Sequence, residues 1–461
     1  MKTISERHFY QYLKCPSWIA HDAKGEGREN DLKDRLQQDG LLPVVERELL
    51  KTRNVVEISA DDIELAFEQT LAEMKKGTPS IYSGALVHGR FVARPDLLER
   101  VEGKSKLGNY YYVACDIKRS RHLKDEFRMQ GCFYAELLGL LQGTKPVQGY
   151  VMRATGEIES YLLEDTLVKY RLTLDAIERI LDGSEEPHFL TSDCKQSPWF
   201  SVCKNESIEC DSLSRLNRIW RSEVKELESA GFKTVSELAR VNVDLVAARV
   251  TGVTRDRLDF LHLQARALAE NRYLRVGAID LPESELILIV DVESDPLRNV
   301  HYLFGVLEKG HGIDVYHSFL AKDPKDERRA WEEFVDFMKK YPGVPMYHYG
   351  WSEQATFKEL GEKYDTPIEV ISMLEEQGVD LLVRLREAVV FPLSFYSLKD
   401  IAQFLGFRWR HEDASGLNSV LWFEKWLTQA DEASLKDIIE YNEDDVRATL
   451  VLKEWAEKHL R

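Results

Sequence analysis

Asp116-Ile117-Lys118 closes the strand-like run YYYVACDIK (110–118) with a carboxylate and an ammonium two positions apart. In an extended chain that spacing sends both side chains to one face. A carboxylate can hold a divalent cation, and an ammonium can steady an attacking water or a developing negative charge. The pair therefore has parts that phosphodiester hydrolysis needs. Asp96 lies in the preceding run RFVARPDLLERV (90–101), joined to the first by the turn-rich EGKSKLGN, so a hairpin can set it beside Asp116. An aspartate next to three aromatics is costly to bury unless it meets a cation. Downstream, residues 122–141 have helical periodicity, and Gln130 and Tyr134, four apart, share a face that can point at the same strand ends.

A second set of carboxylates begins at Asp291-Val292-Glu293, near the end of the apolar strand pattern LILIVDVES (286–294). Alternation again puts both acids on one face. Near the C-terminus, IIEYNEDDVRATLVLKEW reads as a helix with Tyr441 and Asp445 one turn apart, and between these motifs stand Glu353 and Asp380 as further acids. His348 and Lys399 are expected to play polar structural roles.

The six cysteines are the third chemical feature. Cys194, Cys203 and Cys210 fall within CKQSPWFSVCKNESIEC, and Cys15 stands far upstream. Four thiolates can hold a [4Fe–4S] cluster or a Zn²⁺ ion. Cys115 and Cys132 sit in apolar patterns and are expected to be core thiols.

The order Asp, hairpin, Asp-x-Lys, then Gln-x-x-x-Tyr on a helix resembles the RecB-like branch of the PD-(D/E)xK nucleases. Within it the chain is similar to a family related to CRISPR-associated iron–sulfur exonucleases, over roughly residues 1–211. The resemblance implies a restriction-endonuclease-like fold in which Asp96 and Asp116 bind Mg²⁺ or Mn²⁺, Lys118 orients water, and Gln130 and Tyr134 support DNA or the site. It also implies an upstream acid or histidine on a helix, best matched by Glu46, with Glu48, Glu29 and His88 as rivals. Its iron–sulfur members place one cysteine before the fold and three after it, which implies a [4Fe–4S] cluster on Cys15, Cys194, Cys203 and Cys210 as the expected cofactor, with Zn²⁺ the alternative. They have a tight C-x-x-C, where this chain has Ser197 at the second place. Strand DxE followed by helical YxxxD resembles the DEDDy branch of DnaQ-like 3′–5′ exonucleases, which implies an RNase H-like fold. There three or four carboxylates hold two cations while the tyrosine orients water. Glu353 stands where that branch has an aspartate, so the second centre is expected to be the slower.

Around these motifs the chain reads as an α/β multidomain protein: a nuclease domain over 1–211, a helical connector over 212–276 and an RNase H-like domain over 277–461. The connector, in RIWRSEVKELESAGFKTVSELARV, has the helix–turn–helix order of helix-hairpin-helix modules without their usual hairpin glycine. Arg218, Arg221 and Lys225 are candidate phosphate contacts there. The net charge is −17, and residues 280–461 carry −15 of it, with 21 Lys+Arg against 36 Asp+Glu. The first 279 residues, at −2, are free to carry a basic groove. No apolar run is long enough for a membrane span, and the start has no signal-peptide pattern, so the expected compartment is the cytoplasm. The expectation is metal-dependent, exonucleolytic cleavage of DNA, single-stranded or at duplex ends, in repair, recombination or defence. The rival readings are an RNA-processing nuclease that works mainly through the second centre, and a non-catalytic scaffold that binds nucleic acid or a helicase.

Overall fold

The computed structural model describes residues 2–25, 54–118, 122–153, 157–184, 188–296, 298–411 and 416–461. Met1–Glu206 and Ser207–Arg461 form two compact units. Glu29, Glu46 and Glu48 lie outside the described residues.

The first unit is built on a six-stranded sheet whose order follows the chain: β1 (Val55–Glu57), β2 (Ser80–Tyr82), β3 (Leu97–Ser105), β4 (Gly108–Lys118), β5 (Gln148–Arg153) and β6 (Ile158–Leu162). The expected hairpin is β3–β4, with Leu97 opposite Cys115. One reading is corrected here, because residues 90–101 are two strands rather than one. Phe91–Ala93 pairs with Ile4–Ser5 and Leu86–His88 in a separate small sheet, and β3 starts at Leu97. Between them falls Pro95, which cannot donate to a ladder, and the break leaves Asp96 at the mouth of β3.

Two helices, α1 (Glu6–Lys14) and α2 (Ser17–Lys24), open this unit. Strands β4 and β5 are parallel, with Asp116 beside Val151, so the chain must cross over between them. The crossover is α3 (Asp125–Gln142), followed after β6 by α4 (Leu167–Leu181). The apolar stripe of α3 buries Met129, Phe133, Leu137 and Leu138 against the sheet, each contributing about 1.5–3 kcal/mol. Cys115 and Ile117 point the other way, into a cluster with Leu97 and Met152. This alternation turns Asp116 and Lys118 towards α3.

The second unit opens with short helices where the sequence suggested continuous helical pattern: α5 (Arg221–Ser229), then Val235–Ala239 and Val243–Val246, then the longer α6 (Arg255–Glu270). Gly231, at φ 97°, takes the turn after α5, and Thr234 with Glu237 forms a capping box on the next helix. Then comes a five-stranded sheet of β7 (Leu286–Asp295), β8 (Val300–Gly310), β9 (Ile313–Leu320), β10 (Met346–His348) and β11 (Gly378–Asp380), in the order β9-β8-β7-β10-β11. The first three form an antiparallel meander, and β10 and β11 run parallel to β7. Its central strand is apolar on both faces. Ile287 and Ile289 pack with Val446 and Leu452, while Leu288 and Val290 pack with Trp331 and Phe334. Three helices carry or cover the acidic residues: α7 (Ser352–Lys363), α8 (Gly416–Gln429) and α9 (Glu432–Leu460), and α9 packs on β7 and β8.

Candidate metal centres

In the first unit the hairpin and α3 bring Asp96, Asp116, Lys118 and Tyr134 together. The Asp96 carboxylate accepts from the Ile117 amide at 2.7 Å, which locks it to the strand that carries Asp116. Asp116 Oδ2 takes the Lys118 ammonium at 2.8 Å and the Tyr134 hydroxyl at 3.2 Å. Gln130 lies one turn earlier on α3 and donates to the Glu6 carbonyl at 3.3 Å, so it ties α3 to α1.

That contact leads to a residue the sequence reading passed over. Glu6 begins α1, and its side chain is buried in the electrostatic field of Asp116 and Lys118. Burial pushes its carboxyl up, the Asp116 charge adds to the rise, and its buried Oε2 has no hydrogen-bond partner among the described residues. The resemblance places the upstream acid best at Glu46, outside the described residues, whereas the signal at Glu6 is an acid opening the first amphipathic helix. His88 is exposed on its small strand. Burial opposes the Lys118 charge, yet Asp116, Asp96 and Glu6 together hold its pKa above the ordinary lysine range. The Tyr134 hydroxyl is raised by burial and by Asp116, so it stays a neutral donor.

The second unit has a denser acidic centre. Ligand atoms of Asp291, Glu293 and Asp445 all lie within 4.8 Å of one another. Asp291 and Glu293 come from β7 and Asp445 from α9, as the spacing implied. Asp291 and Glu293 share a hydrogen bond, and the partners from outside the triad are neutral among the described residues. Asn442 Nδ2 donates to Asp291 Oδ2 at 2.7 Å, and its own Oδ1 accepts from the Tyr316 hydroxyl at 2.8 Å. The Trp409 indole donates to Asp445 at 2.7 Å. Neighbouring Asp444 is spent elsewhere, paired with the Arg410 guanidinium at 2.9 Å.

Gly305 sits opposite Asp291 on β8, and a Cβ there would come within 1.6 Å of Asn442 Oδ1. The strand needs a glycine so that Asn442 can reach the aspartate.

Burial and mutual repulsion shape the titration of this centre. Burial and the charges of Glu293 and Glu353 raise Asp291 well above the usual carboxylate range. Burial beside Asp445 pushes Glu293 up to about 8, and burial near Asp291 raises Asp445. Three acids held so closely ionise together when cations compensate them. Tyr441 is raised by burial and by Asp445, towards which its hydroxyl donates, so it remains a phenol.

Glu353 is buried in the first turn of α7 and acts on Asp291 through its charge, outside the close triad. Burial brings its carboxyl up to about 7, and it lies against His348 at 3.7 Å. Asp380 instead caps the next helix through the Val383 amide at 3.2 Å. His348 is tied to the Gly350 carbonyl at 2.6 Å, and the Lys399 ammonium lies over the Trp409 ring.

Cys15, Cys194 and Cys203 are buried in the first unit, whereas Cys210 is exposed and belongs to the second. Cys115 and Cys132 are buried. Within the second unit, a cavity of about 440 Å³ is lined by Asn217, Arg218, Trp220, Arg257, Phe260 and Arg386. Arg257 is engaged by Glu223 at 2.7 Å. Among the described residues Arg218 and Arg386 form no ion pair. Burial and the Arg218 charge lower the Arg386 pKa, and the Trp220 ring is 68% exposed.

Residues 288–457 match the RNase_H_2 family model of the RNase_H superfamily, which spans less than half of the chain. A comparison with curated proteins found no match. The C-terminal part is an RNase H-like domain, and this points to a nuclease-type function on a nucleic-acid substrate. No helix among the described residues is long and apolar enough to cross a membrane.

Proposed function

We propose that the protein is a metal-dependent nuclease that hydrolyses DNA phosphodiester bonds from strand ends, with Asp291, Glu293 and Asp445 as its main hydrolytic centre in place of the slower role expected for them from the sequence. The observation that carries this reading is the grouping of three carboxylates within 4.8 Å, beside Tyr441, inside the RNase H-like domain. Those carboxylates suit Mg²⁺ or Mn²⁺, which when bound supply charge neutralisation and a more acidic water. Asn442 and Trp409 fix the carboxylate oxygens, as outer partners of metal ligands do. Tyr441, whose one phenolic proton goes to Asp445, would accept a hydrogen bond from the attacking water on its hydroxyl oxygen and so orient it. Glu353 adds negative charge beside Asp291 and extends the site towards α7.

The first unit supports a second, PD-(D/E)xK-like centre. The specific observation is the convergence of Glu6 and Asp116 on Lys118, with Tyr134 donating to Asp116. Here Lys118 would steady the water, and Glu6 would supply the upstream acid. The Arg218–Arg386 cavity would receive the substrate backbone in the second unit, with Trp220 offering a face on which a base can stack.

The test is cleavage of single-stranded and duplex DNA and RNA in Mn²⁺, Mg²⁺ or chelator. DNA degradation that requires the metal is expected, and cleavage of RNA alone would move the function to RNA processing. Binding without cleavage would leave a scaffold. For the cavity, replacing both Arg218 and Arg386 by Ala should weaken single-strand binding and lower the slope of log affinity against log salt by about 1.4, two phosphate contacts' worth.

A further inference from the structure

We infer that the first unit holds a zinc ion in a mixed cysteine–histidine site formed by His21, His188, Cys194 and Cys203. The inference is independent of the nuclease reading. Ligand atoms of His21, His188 and Cys203 lie within 4.8 Å of one another, with His21 and Cys203 buried. Cys194 is in hydrogen-bond contact with Cys203, and its sulfur accepts from the Thr191 amide at 3.4 Å. Such an N–H contact stabilises a metal-bound thiolate. Glu206 faces both rings, at 3.5 Å from His21 Nε2 and 3.8 Å from His188 Nδ1, where a carboxylate orients histidine ligands.

The donor set decides between the metals. A [4Fe–4S] cluster takes four thiolates. Among the described residues it is two imidazoles that come to within 4.8 Å of the Cys203 sulfur, whereas Cys210 is exposed. Ser197 stands where a tight C-x-x-C has its second sulfur, and its hydroxyl accepts from the Trp199 amide at 3.2 Å. Two imidazoles close to one thiol, with a second thiol in contact with the first, supply the four nitrogen and sulfur donors that Zn²⁺ takes. The ligands join α2 to the segment from His188 to Cys203, so the ion would clamp the start of the unit to its end and close a long loop.

The experiment is metal analysis of the purified full-length protein, in the wild type and in an Asp291→Ala background that excludes zinc held by the carboxylate triad. One zinc per chain, no stoichiometric iron and no brown colour are expected. Zinc X-ray absorption should show a mixed nitrogen and sulfur shell, a readout that requires no variant. Cys203→Ser and His188→Ala should each lose most of the zinc, and Cys210→Ser should keep it. Brown protein with about four irons, an all-sulfur zinc shell, metal-free protein, or zinc lost in Cys210→Ser would each overturn the assignment.

Discussion

In the first unit the carboxylates of Glu6, Asp96 and Asp116 surround an ammonium, that of Lys118, which lies 2.8 Å from Asp116. In the second, Asp291, Glu293 and Asp445 crowd together with neutral partners, and nearby Arg410 is committed to Asp444. The two centres are built from similar residues and differ in who balances the charge. A built-in cation lets the first centre fold with part of its acidic charge compensated. The second would relieve its repulsion by taking up protons or the proposed metal ions. The comparison teaches that dependence on divalent ions, for stability as well as for rate, should concentrate in the C-terminal centre.

The largest effect that would sharpen this contrast concerns Lys118. In an Asp291→Ala background, Lys118→Ala should reduce the remaining DNA cleavage by about 10²–10³, the usual loss for one electrostatic donor in a transition state. Glu6→Gln in the same background should lower it as well. Unchanged rates in both variants would remove the first unit from the chemistry.

Gly305→Ala probes the second centre without touching a ligand. The added methyl must displace Asn442 from Asp291, so Mn²⁺ affinity should fall about 10–100-fold, as for other losses of an outer partner. Calorimetric titration measures it. Wild-type affinity would mean that Asn442 does not position the carboxylate.

A smaller effect is the response of stability to pH. Burial raises Asp291 and Asp445 and brings Glu293 up to about 8, so in the metal-free folded state this centre binds more protons than the same groups do in the unfolded chain between roughly pH 4.5 and pH 8. The contribution of this centre to stability must therefore fall as pH rises through that window. Lys118, held charged above its ordinary range, contributes a term that is constant there. Metal-free protein should show a Tm several degrees lower at pH 8 than at pH 6, with Mn²⁺ restoring more at pH 8. Asp291→Asn should flatten the profile, and the same slope in that variant would place its origin elsewhere.

Much of both sites could be read from spacing alone. Asp116 and Lys118, or Asp291 and Glu293, must share a face in any strand, and Tyr441 and Asp445 must share one in any helix. Asp444, one position from Asp445, falls on another face of the helix and points to Arg410. What spacing could not supply were partners that arrive through tertiary packing. Glu6 meets Asp116 because α1 packs on α3, and His21 and His188 meet Cys203 although far apart in the chain. The split of residues 90–101 was legible at Pro95, but its assignment to two sheets depended on Ile4–Ser5, a strand too short to show any period.

The most direct test of the central claim follows 3′-labelled single-stranded DNA in Mn²⁺ with wild type, Lys118→Ala and Asp291→Ala. Circular dichroism confirms that each variant is folded. Trimming from the 3′ end should persist in Lys118→Ala and fall by at least about 10²–10³ in Asp291→Ala, because a triad that loses a carboxylate loses its cations. Wild-type trimming by Asp291→Ala would contradict the account and leave the C-terminal carboxylates without a catalytic role.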